Sequence, residues 1–481
     1  MIANVMGIAA GGVTRVLSED RVRLAVTGLS RAGKTVFITS LIHNLLALPY
    51  SDTLPRLSSR LTQNGRSRLR SVQVLPAGAG VLPFFDYEAK LRDLAAEIPA
   101  WPPRTEDLAQ ISLGLEIERP SAMGRWLGTK RIRLDILDYP GEWLLDLPML
   151  DQSYAEWSAQ TLALLRTAPR DVCCAPFFEF VSGLRPDDRA EESLLHKGHV
   201  LYREALHACR KEHGLRYLQP GRFICPGPYS DAPFMWFFPL DGVSEKPKPG
   251  TAASLLRERF DRYKDHIRAS FFNTHFAAFD RQIMLVDVLG ALCAGRAAFE
   301  DTAQALSEIA RGLRYGGTGL MPRAMQRMAQ GMGSHGIERI TFVATKADHV
   351  PGLRRDNLRH LLGELADTSR DGKGNVKGQA GAKGVKTSHH VAASVLSTKD
   401  DVTTIQGRPM EVVSGTVLGD DKVRPFFGGD VPASGPPASY WRHAFFELPT
   451  FQPPAFDPQG RNGLPNLNLD AVIVDAIGDL L

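Results

Sequence analysis

The sequence predicts an α/β fold with a mostly parallel β-sheet, helices on both faces and one antiparallel strand at an edge. The apolar register of residues 22–27 indicates a strand that turns directly into a helix over 36–48. Two alternating segments, 111–118 and 131–137, are close enough in sequence to pair as a β-hairpin. From residue 283 onward, buried-strand patterns alternate with amphipathic helices, which is the order of parallel β-α-β units.

The first helix is followed by a polar segment. Pro49 ends the helical pattern that begins at Val36. Residues 50–103 are polar with scattered proline and glycine, and only 86–98 has a helical pattern. We therefore expect 50–103 to form an insertion between the first helix and the hairpin.

A longer insertion separates the hairpin from the last third of the chain. Residues 143–282 contain two amphipathic helical patterns, over 194–210 and 255–272, with a proline- and glycine-rich stretch between them. This composition predicts a mainly helical insertion.

The last third of the chain returns to regular alternation. Strand patterns cover 283–289, 340–345 and 391–394, and helical patterns cover 301–313 and 353–365. Residues 366–390 are rich in glycine and lysine, which predicts a flexible loop. Residues 401–481 form a C-terminal extension, and the apolar spacing of 469–480 predicts that it ends in a helix.

Composition narrows the class of protein. The chain has 57 Lys and Arg and 53 acidic residues, which gives a formal net charge of +4. We therefore expect no nucleic-acid partner that is bound mainly through its phosphates. Five cysteines without a CxxC pair suit a reducing compartment, and a cytoplasmic location is predicted. The sequence predicts neither a signal peptide nor a transmembrane segment, so any contact with a membrane would be peripheral or through a partner.

A glycine-rich turn between the first strand and the first helix carries the first chemical motif. Residues 28–35, GLSRAGKT, match G-x-x-x-x-G-K-[ST], which predicts a P-loop NTPase. In such a loop backbone N–H groups surround phosphates, the lysine reaches the outer phosphates and the threonine hydroxyl binds Mg²⁺. The nucleotide-binding residues predicted here are Gly28, Ser30, Arg31, Ala32, Gly33, Lys34, Thr35 and Val36, of which Lys34 is also predicted to be catalytic and Thr35 to bind the metal.

A second motif should supply an acidic residue near the metal. Asp138 ends the apolar segment of the hairpin and begins the pattern D-x-x-G, which Gly141 completes. This pattern puts a carboxylate beside Mg²⁺ and a backbone N–H near the γ-phosphate. Asp287, in the predicted strand 283–289, is the rival metal-side carboxylate.

The third motif, TKAD, directly follows the predicted strand 340–345. Guanine presents two N–H donors on one edge, which a single carboxylate accepts while a lysine stem lies along the ring, and adenine lacks that donor pair. Lys346 and Asp348 are therefore predicted to select guanine, so that GTP and GDP are the expected ligands.

With these three motifs in order, the chain resembles the Ras-like P-loop GTPases and, more closely, the bacterial YcjX-like proteins. The matching stretches are GLSRAGKTVFITSLIHNLL, LDYPGEW and TKADHV. The resemblance implies a discontinuous G domain of residues 20–142 and 283–400, GTP binding with Mg²⁺, slow hydrolysis to GDP and phosphate, and a switch role in a bacterial stress response. It also implies a protein partner of unknown identity, which could be membrane-associated.

The resemblance further assigns a first switch and a catalytic glycine. By position, Thr105 is the threonine that closes on Mg²⁺ and the γ-phosphate, a catalytic and metal-binding role. Arg104 beside it is either a catalytic arginine of the kind that stabilises the transition-state charge or an exposed surface residue. Gly141 is predicted to act in catalysis through its backbone N–H.

Several positions depart from the Ras-like pattern. Ser30 replaces a glycine, Thr345 replaces an asparagine, and Glu142 stands where Ras has a water-orienting glutamine. Glu142 is the predicted catalytic residue at that position, although a carboxylate beside phosphate oxygens meets like-charge repulsion. The last guanine-binding signature is reduced to a short segment with Ala392 and Ala393. These departures argue against fast turnover more than against binding.

Two alternative functions stay open. One is a GTP-gated scaffold that hardly hydrolyses its nucleotide, and the other is a generic P-loop NTPase or small-molecule kinase. A zinc site was also considered on the helix predicted over 194–210, where His196 and His199 have a ligand-like spacing and Cys209 follows. No carboxylate pair completes such a site, so we interpret these residues as helix surface.

Overall fold

The computed structural model describes most of the chain. The described residues are 20–62, 67–77, 82–103, 107–118, 129–272, 279–315, 337–366, 385–405, 407–442, 449–459 and 461–481. Within them, seven strands form a central sheet in the order β2-β3-β4-β1-β5-β6-β7. These strands are β1 (Asp20–Gly28), β2 (Arg68–Val74), β3 (Ala109–Glu118), β4 (Lys130–Asp138), β5 (Arg281–Val286), β6 (Arg339–Ala344) and β7 (Lys386–Val391).

The sheet is mostly parallel, as predicted. Strands β4, β1, β5, β6 and β7 pair in parallel with their neighbours, whereas β3 pairs antiparallel with β4 through the predicted hairpin. The edge beside β3 is occupied by β2, which pairs antiparallel with it. No apolar alternation predicts β2, because its residues belong to the polar segment 50–103 and most of its side chains are exposed or half-buried. Part of that predicted insertion therefore extends the central sheet.

Helices cover both faces of the sheet, which confirms the predicted class. The described helices are α1 (Lys34–Ala47), α2 (Pro55–Leu61), α3 (Tyr87–Leu94), α4 (Tyr154–Leu165), α5 (Arg170–Cys173), α6 (Ala175–Ser182), α7 (Glu192–His213), α8 (Gly221–Ile224), α9 (Ala252–Ile267), α10 (Val288–Cys293), α11 (Arg296–Tyr315), α12 (Arg355–Ala366) and α13 (Leu469–Ile477). None of the helices in the described part of the chain is both long and apolar enough to cross a membrane.

Alternation along the strands divides the buried apolar residues into two cores. On β1, Leu24 and Val26 face a core shared with α1, α2, α3 and α13, while Ala25 faces the opposite core. That second core also contains the apolar faces of α11 and α12 and the helices of segment 143–282, where Trp157 is 1% exposed. Because strand side chains alternate between the two faces, each strand contributes to both cores. The helical segment thus packs directly on one face of the sheet.

The C-terminal part differs from the prediction at two places. Strand β7 runs from Lys386 to Val391, so the strand predicted at 391–394 was wrong except at its first residue, and residues 386–390 of the predicted loop are strand. Of that loop, residues 367–384 lie outside the described residues. A separate antiparallel sheet then follows, formed by β8 (Thr398–Ile405), β9 (Arg408–Thr416) and β10 (Val423–Phe426). The chain ends in α13, where the apolar spacing predicts a helix.

Candidate functional site

The phosphate-binding motif forms a tight turn between β1 and α1. Arg31 and Gly33 both have a left-handed backbone, with φ of 69° and 76°. The Ala32 N–H donates to the carbonyl oxygen of Leu29 at 3.1 Å, which closes the turn. Such a turn, directly ahead of a helix N-terminus, points backbone N–H groups towards a bound anion. The loop is therefore shaped to hold phosphate.

Gly28 is required where the loop leaves the sheet. A Cβ added to Gly28 would lie 2.6 Å from the carbonyl oxygen of Leu285 on the neighbouring strand β5. Real Cβ atoms essentially never approach a backbone oxygen so closely, so a larger residue would push β1 and β5 apart. The remaining loop residues differ in exposure: Ser30 and Val36 are half-buried, and Arg31 is exposed.

Lys34, Thr35 and Asp138 come together at the start of α1. The Lys34 Nζ lies 3.4 Å from Oδ1 of Asp138, whose side chain is 1% exposed at the end of β4. Thr35 follows Lys34 in α1 and is 7% exposed. A buried carboxylate and a hydroxyl are oxygen donors of the kind that Mg²⁺ prefers, so these residues fit the metal site predicted for them.

Asp287 lies elsewhere and has different partners. Its Oδ1 accepts the N–H of Gly290 at 3.0 Å, capping α10, and its Oδ2 lies 2.6 Å from Nζ of Lys346. Burial would raise the pKa of Asp287, but the Lys346 ammonium and the capping bond lower it on balance. Asp287 therefore supports the predicted base-binding segment, while Asp138 is the carboxylate beside Lys34.

Gly141 packs against the phosphate-binding loop. A Cβ added to Gly141 would lie 2.6 Å from the carbonyl carbon of Gly28. The hydroxyl of Thr27 donates to the carbonyl oxygen of Tyr139 at 3.0 Å, which ties the two strand ends together. Gly141 begins a 3₁₀ helix, Gly141–Asp146, in which Glu142 is 6% exposed. The D-x-x-G segment thus lies next to the start of the loop that it is predicted to serve.

The predicted base-binding segment follows β6. Lys346 has a left-handed backbone with φ of 59°, and Asp348 is 2% exposed. Oδ2 of Asp348 accepts the backbone N–H of Ser397 at 2.9 Å and its hydroxyl at 2.8 Å. The Ala347 N–H donates to the carbonyl oxygen of Ala392 at 3.2 Å, which joins this segment to the end of β7.

Ser397 was not predicted, although it holds the carboxylate that is expected to read the base. It lies five residues beyond Ala392, in a segment that the sequence assigns to no motif. Ala393, a predicted nucleotide-binding residue, instead pairs with Leu467 through two backbone hydrogen bonds of 3.1 and 2.8 Å. Thr105 and Arg104 lie outside the described residues, so their predicted roles stay predictions.

The sequence profile of the YcjX-like family (DUF463) matches residues 22–481 of this chain. The chain belongs to the YcjX-like family. Two relatives are both called Ras-like GTPase YcjX. The one from Escherichia coli K12 is 35% identical over 471 residues, 96% of each chain, and the one from Shewanella oneidensis MR-1 is 32% identical over 487 residues, 96% of this chain and 95% of its own.

The match to the YcjX-like family includes the helical segment 143–282. The later part of this segment contacts the 3₁₀ helix Gly141–Asp146. A Cβ added to Gly221 would lie 1.8 Å from the carbonyl oxygen of Glu142. The N–H of Gly221 donates to Oδ1 of Asp146 at 2.7 Å, and the hydroxyl of Tyr263 donates to its Oδ2 at 2.8 Å. We call these contacts the insertion junction.

A cation stacks on an aromatic ring at the insertion junction. The guanidinium carbon of Arg222 lies 3.8 Å from the centroid of a Trp143 ring, and the indole N–H of Trp143 donates to the carbonyl oxygen of Cys225 at 2.7 Å. Burial raises the pKa of Asp146 to about 6, although its hydrogen bonds and the Arg222 charge act in the opposite direction. These contacts tie the residues after D-x-x-G firmly to the helical segment.

Arg216 is a second functional candidate that sequence reasoning missed. Its backbone N–H is held by Asp301 of α11, and its side chain interacts electrostatically with Glu142 and Asp287 and is repelled by Arg31. Burial lowers the pKa of its guanidinium, and the two acidic neighbours oppose that effect. The helical segment therefore brings a positive charge to the side of the sheet that carries the phosphate-binding loop.

Proposed function

We propose that this protein binds GTP with Mg²⁺, hydrolyses it slowly and uses the nucleotide state as a switch. The observation that carries the proposal is the buried carboxylate of Asp348, held by Ser397 at the carboxyl end of the sheet that also ends in the phosphate-binding loop. A ligand recognised at both points must contain phosphates and a base with adjacent N–H donors, and a guanine nucleotide meets that requirement. The names of the two relatives agree with it.

Nucleotide binding is divided among three parts of the sheet edge. The N–H groups of 28–36 and the Lys34 ammonium hold the phosphates, Lys346 and Asp348 hold the base, and Thr35 and Asp138 hold the metal. When bound, Mg²⁺ supplies positive charge to the phosphate oxygens. Asp138 also keeps the Lys34 ammonium at the mouth of the loop, because the two charges lie 3.4 Å apart.

Hydrolysis is expected to be slow because the residue after Gly141 is acidic. Glu142 is 6% exposed, and its carboxylate repels the negative charge of the transition state while offering no hydrogen-bond donor to stabilise it. Arg216 interacts with Glu142 and offsets part of that repulsion. Developing charge on the phosphate is then met by Lys34 and the backbone N–H of Gly141.

The switch acts through the insertion junction. Gly141 packs on Gly28, and five residues later Asp146 accepts hydrogen bonds from Gly221 and Tyr263 of the helical segment. A shift of Gly141 on loss of the γ-phosphate must therefore move these contacts or break them. The helical segment is the part of the molecule that would present this change to a partner.

The proposal is tested by isothermal titration of GTP, GDP and ATP, each with Mg²⁺, into the wild type, Asp348→Ala and Asp356→Ala. The control removes an exposed carboxylate of α12. We expect wild type and control to bind guanine nucleotides at least tenfold more tightly than ATP, and Asp348→Ala to lose that preference. Equal binding of ATP to the wild type would contradict guanine selection and leave a generic P-loop NTPase or kinase.

A GTP-gated scaffold is the second candidate function, and the buried acid Glu142 is the observation that favours it. Single-turnover hydrolysis of GTP distinguishes the two functions in wild type, Lys34→Ala and Glu142→Gln. A GTPase releases phosphate in a reaction that Lys34→Ala abolishes. A scaffold binds GTP without phosphate release, even over a long incubation.

Three further predictions have support only from the sequence or the resemblance. They are a cytoplasmic location, a stress-response role and an unidentified protein partner that could be membrane-associated. The five cysteines are all free, which is consistent with a reducing compartment. Cell fractionation and crosslinking in the GTP-loaded and GDP-loaded states are the experiments that test location and partner.

A further inference from the structure

Thiol, carboxylate and imidazole groups converge where α5 packs against the last turn of α7. Cys173, Glu212 and His213 each offer one ligand atom, and these atoms all lie within 4.8 Å of one another. The Sγ of Cys173 lies 3.9 Å from Oε2 of Glu212. The thiol of Cys209, one turn back along α7, interacts electrostatically with the thiols of Cys173 and Cys174. We call Cys173, Cys209, Glu212 and His213 the thiol cluster, and it lies far along α7 from His196 and His199.

The helical spacing on α7 explains why these donors meet. Residues 209, 212 and 213 are separated by three and four positions, which places them on one face of the helix. Helix α7 ends immediately afterwards at Gly214, whose φ is 67°. Cys173 comes from the end of the facing helix α5. Two chain segments that are nearly 40 residues apart therefore supply one compact group of donors.

Two other histidines of α7, His196 and His199, are used for packing. His199 is 2% exposed, with its ring 4.8 Å from that of Phe223, and His196 packs 4.5 Å from Trp236. The interpretation of these α7 residues as helix surface was therefore wrong for His199 and for Cys209, because the helical segment buries both. His213 is the α7 imidazole whose ligand atom lies within 4.8 Å of those of Cys173 and Glu212.

We propose that Cys173, Glu212 and His213 bind one Zn²⁺ ion and leave the fourth tetrahedral position open. Zinc accepts thiolate sulfur, imidazole nitrogen and carboxylate oxygen in tetrahedral sites, with metal–ligand distances of about 2.0 to 2.3 Å. Those distances put ligand atoms about 3.5 Å apart, so the donors need to close by roughly 1 Å. Thiolate ligands select zinc over Mg²⁺ and Ca²⁺, so this site and the nucleotide site take different ions.

The surroundings of the thiol cluster suit a cation. Glu212 is exposed and His213 half-buried, so these two ligands can adjust to an arriving ion. Arg170 lies near the cluster, where it interacts with Cys209, but its charge is already paired with Asp301. The negative charge of a Cys173 thiolate and of Glu212 therefore has to be balanced by the bound metal.

Zinc at this position would brace the helical segment. The ligands join α5 to the end of α7, and the chain then runs directly through Arg216 to Gly221 at the insertion junction. A bound ion thus fixes the start of the segment that contacts Glu142. The proposal stands on the donors of the thiol cluster and does not depend on the proposed GTPase function.

The test is a titration of the reduced full-length protein with Co²⁺, a spectroscopic substitute for Zn²⁺. The variants are Cys173→Ser, Glu212→Gln and His213→Gln, and the control is Cys293→Ser, which removes the other half-buried free thiol. We expect one Co²⁺ per wild-type and control chain, with thiolate charge-transfer and tetrahedral d–d absorption that Zn²⁺ abolishes. Each ligand variant should bind at least tenfold more weakly.

Three results would overturn the zinc site. One is the lack of thiolate-to-cobalt absorption in the wild type at saturating Co²⁺. Another is an unchanged affinity for Co²⁺ in His213→Gln and Glu212→Gln. Both substituted residues lie at the outer side of the cluster, and circular dichroism checks that the variants fold. The third is that neither Co²⁺ nor Zn²⁺ binds and that mass spectrometry without reductant finds Cys209 in a disulfide. The cysteines of the cluster would then be a redox pair.

Discussion

The phosphate-binding loop and the insertion junction both depend on glycine, for different physical reasons. Gly33 has φ of 76°, and an added Cβ would meet no atom within 4 Å, so this glycine supplies a backbone conformation. An added Cβ at Gly221 would lie 1.8 Å from the carbonyl oxygen of Glu142, so that glycine supplies room. The loop is therefore shaped by its own residues, whereas the junction exists only because two distant segments approach each other.

The largest expected effect is that of Gly221→Ala. Its Cβ overlaps a backbone carbonyl that cannot rotate away, so the free energy of unfolding should fall by about 3 kcal/mol or more. Urea unfolding measures the change. Gly183→Ala is the matched control, because the nearest atom to its Cβ would be 3.7 Å away, and it should change stability by less than about 1 kcal/mol. Equal losses in the two variants would show that the close contact with Glu142 is not present.

A titrating carboxylate gives the junction a pH dependence. Burial raises the pKa of Asp146 from 3.8 to about 6, so the folded protein binds this proton more tightly than the unfolded chain. The stabilising contribution is complete below about pH 4 and is lost as the pH rises to about 6, a loss on the order of 2 to 3 kcal/mol.

Asp146→Asn should flatten this part of the pH profile. The comparison is urea unfolding of the wild type, the variant and Asp265→Asn between pH 4 and 7. Asp265 is exposed, with 76% of its side chain accessible, so its variant should follow the wild-type profile. If the Asp146→Asn profile has the same slope as that of the wild type, then Asp146 does not carry the dependence.

Gly33→Ala should have a smaller effect on stability and a specific effect on binding. Holding alanine in the left-handed region costs about 1 to 2 kcal/mol, and a relaxed loop would weaken nucleotide binding by roughly tenfold. Gly407→Ala is the control, since it has the same φ of 76° and equally open surroundings in the turn between β8 and β9. It should lose similar stability and keep full affinity for GTP by titration calorimetry.

The smallest effect is expected from Ser397→Ala. The variant removes one hydroxyl bond to Asp348 and keeps the backbone bond, so GTP affinity should fall by about 1 kcal/mol, or roughly fivefold. ATP affinity should not change, because adenine lacks the pair of N–H donors that the Asp348 carboxylate accepts from guanine. Ser193→Ala, on the exposed side of α7, serves as the control, and a parallel loss for ATP would contradict the role in base recognition.

The comparison of loop and junction also explains what the sequence could predict. The loop, the D-x-x-G segment and TKAD are contiguous motifs at strand ends, so their positions and the α/β class followed from the sequence. Ser397, Arg216 and the thiol cluster act on residues far away in the chain, and no local pattern marks such contacts. Asp287 follows an apolar strand pattern, as the predicted metal ligand Asp138 does. Its bond to Lys346 is what assigns it to the base-binding segment.

Strand β2 has a consequence for the assembly of the molecule. Without it, β3 would offer a free row of backbone donors and acceptors to the next chain in solution. Strand β2 covers that row and presents an outer edge with two exposed arginines, Arg68 and Arg70, and a register shift between Leu69 and Ser71. Like charges and an irregular ladder oppose the addition of a further strand. The polar segment 50–103 thus protects the sheet against aggregation through this edge.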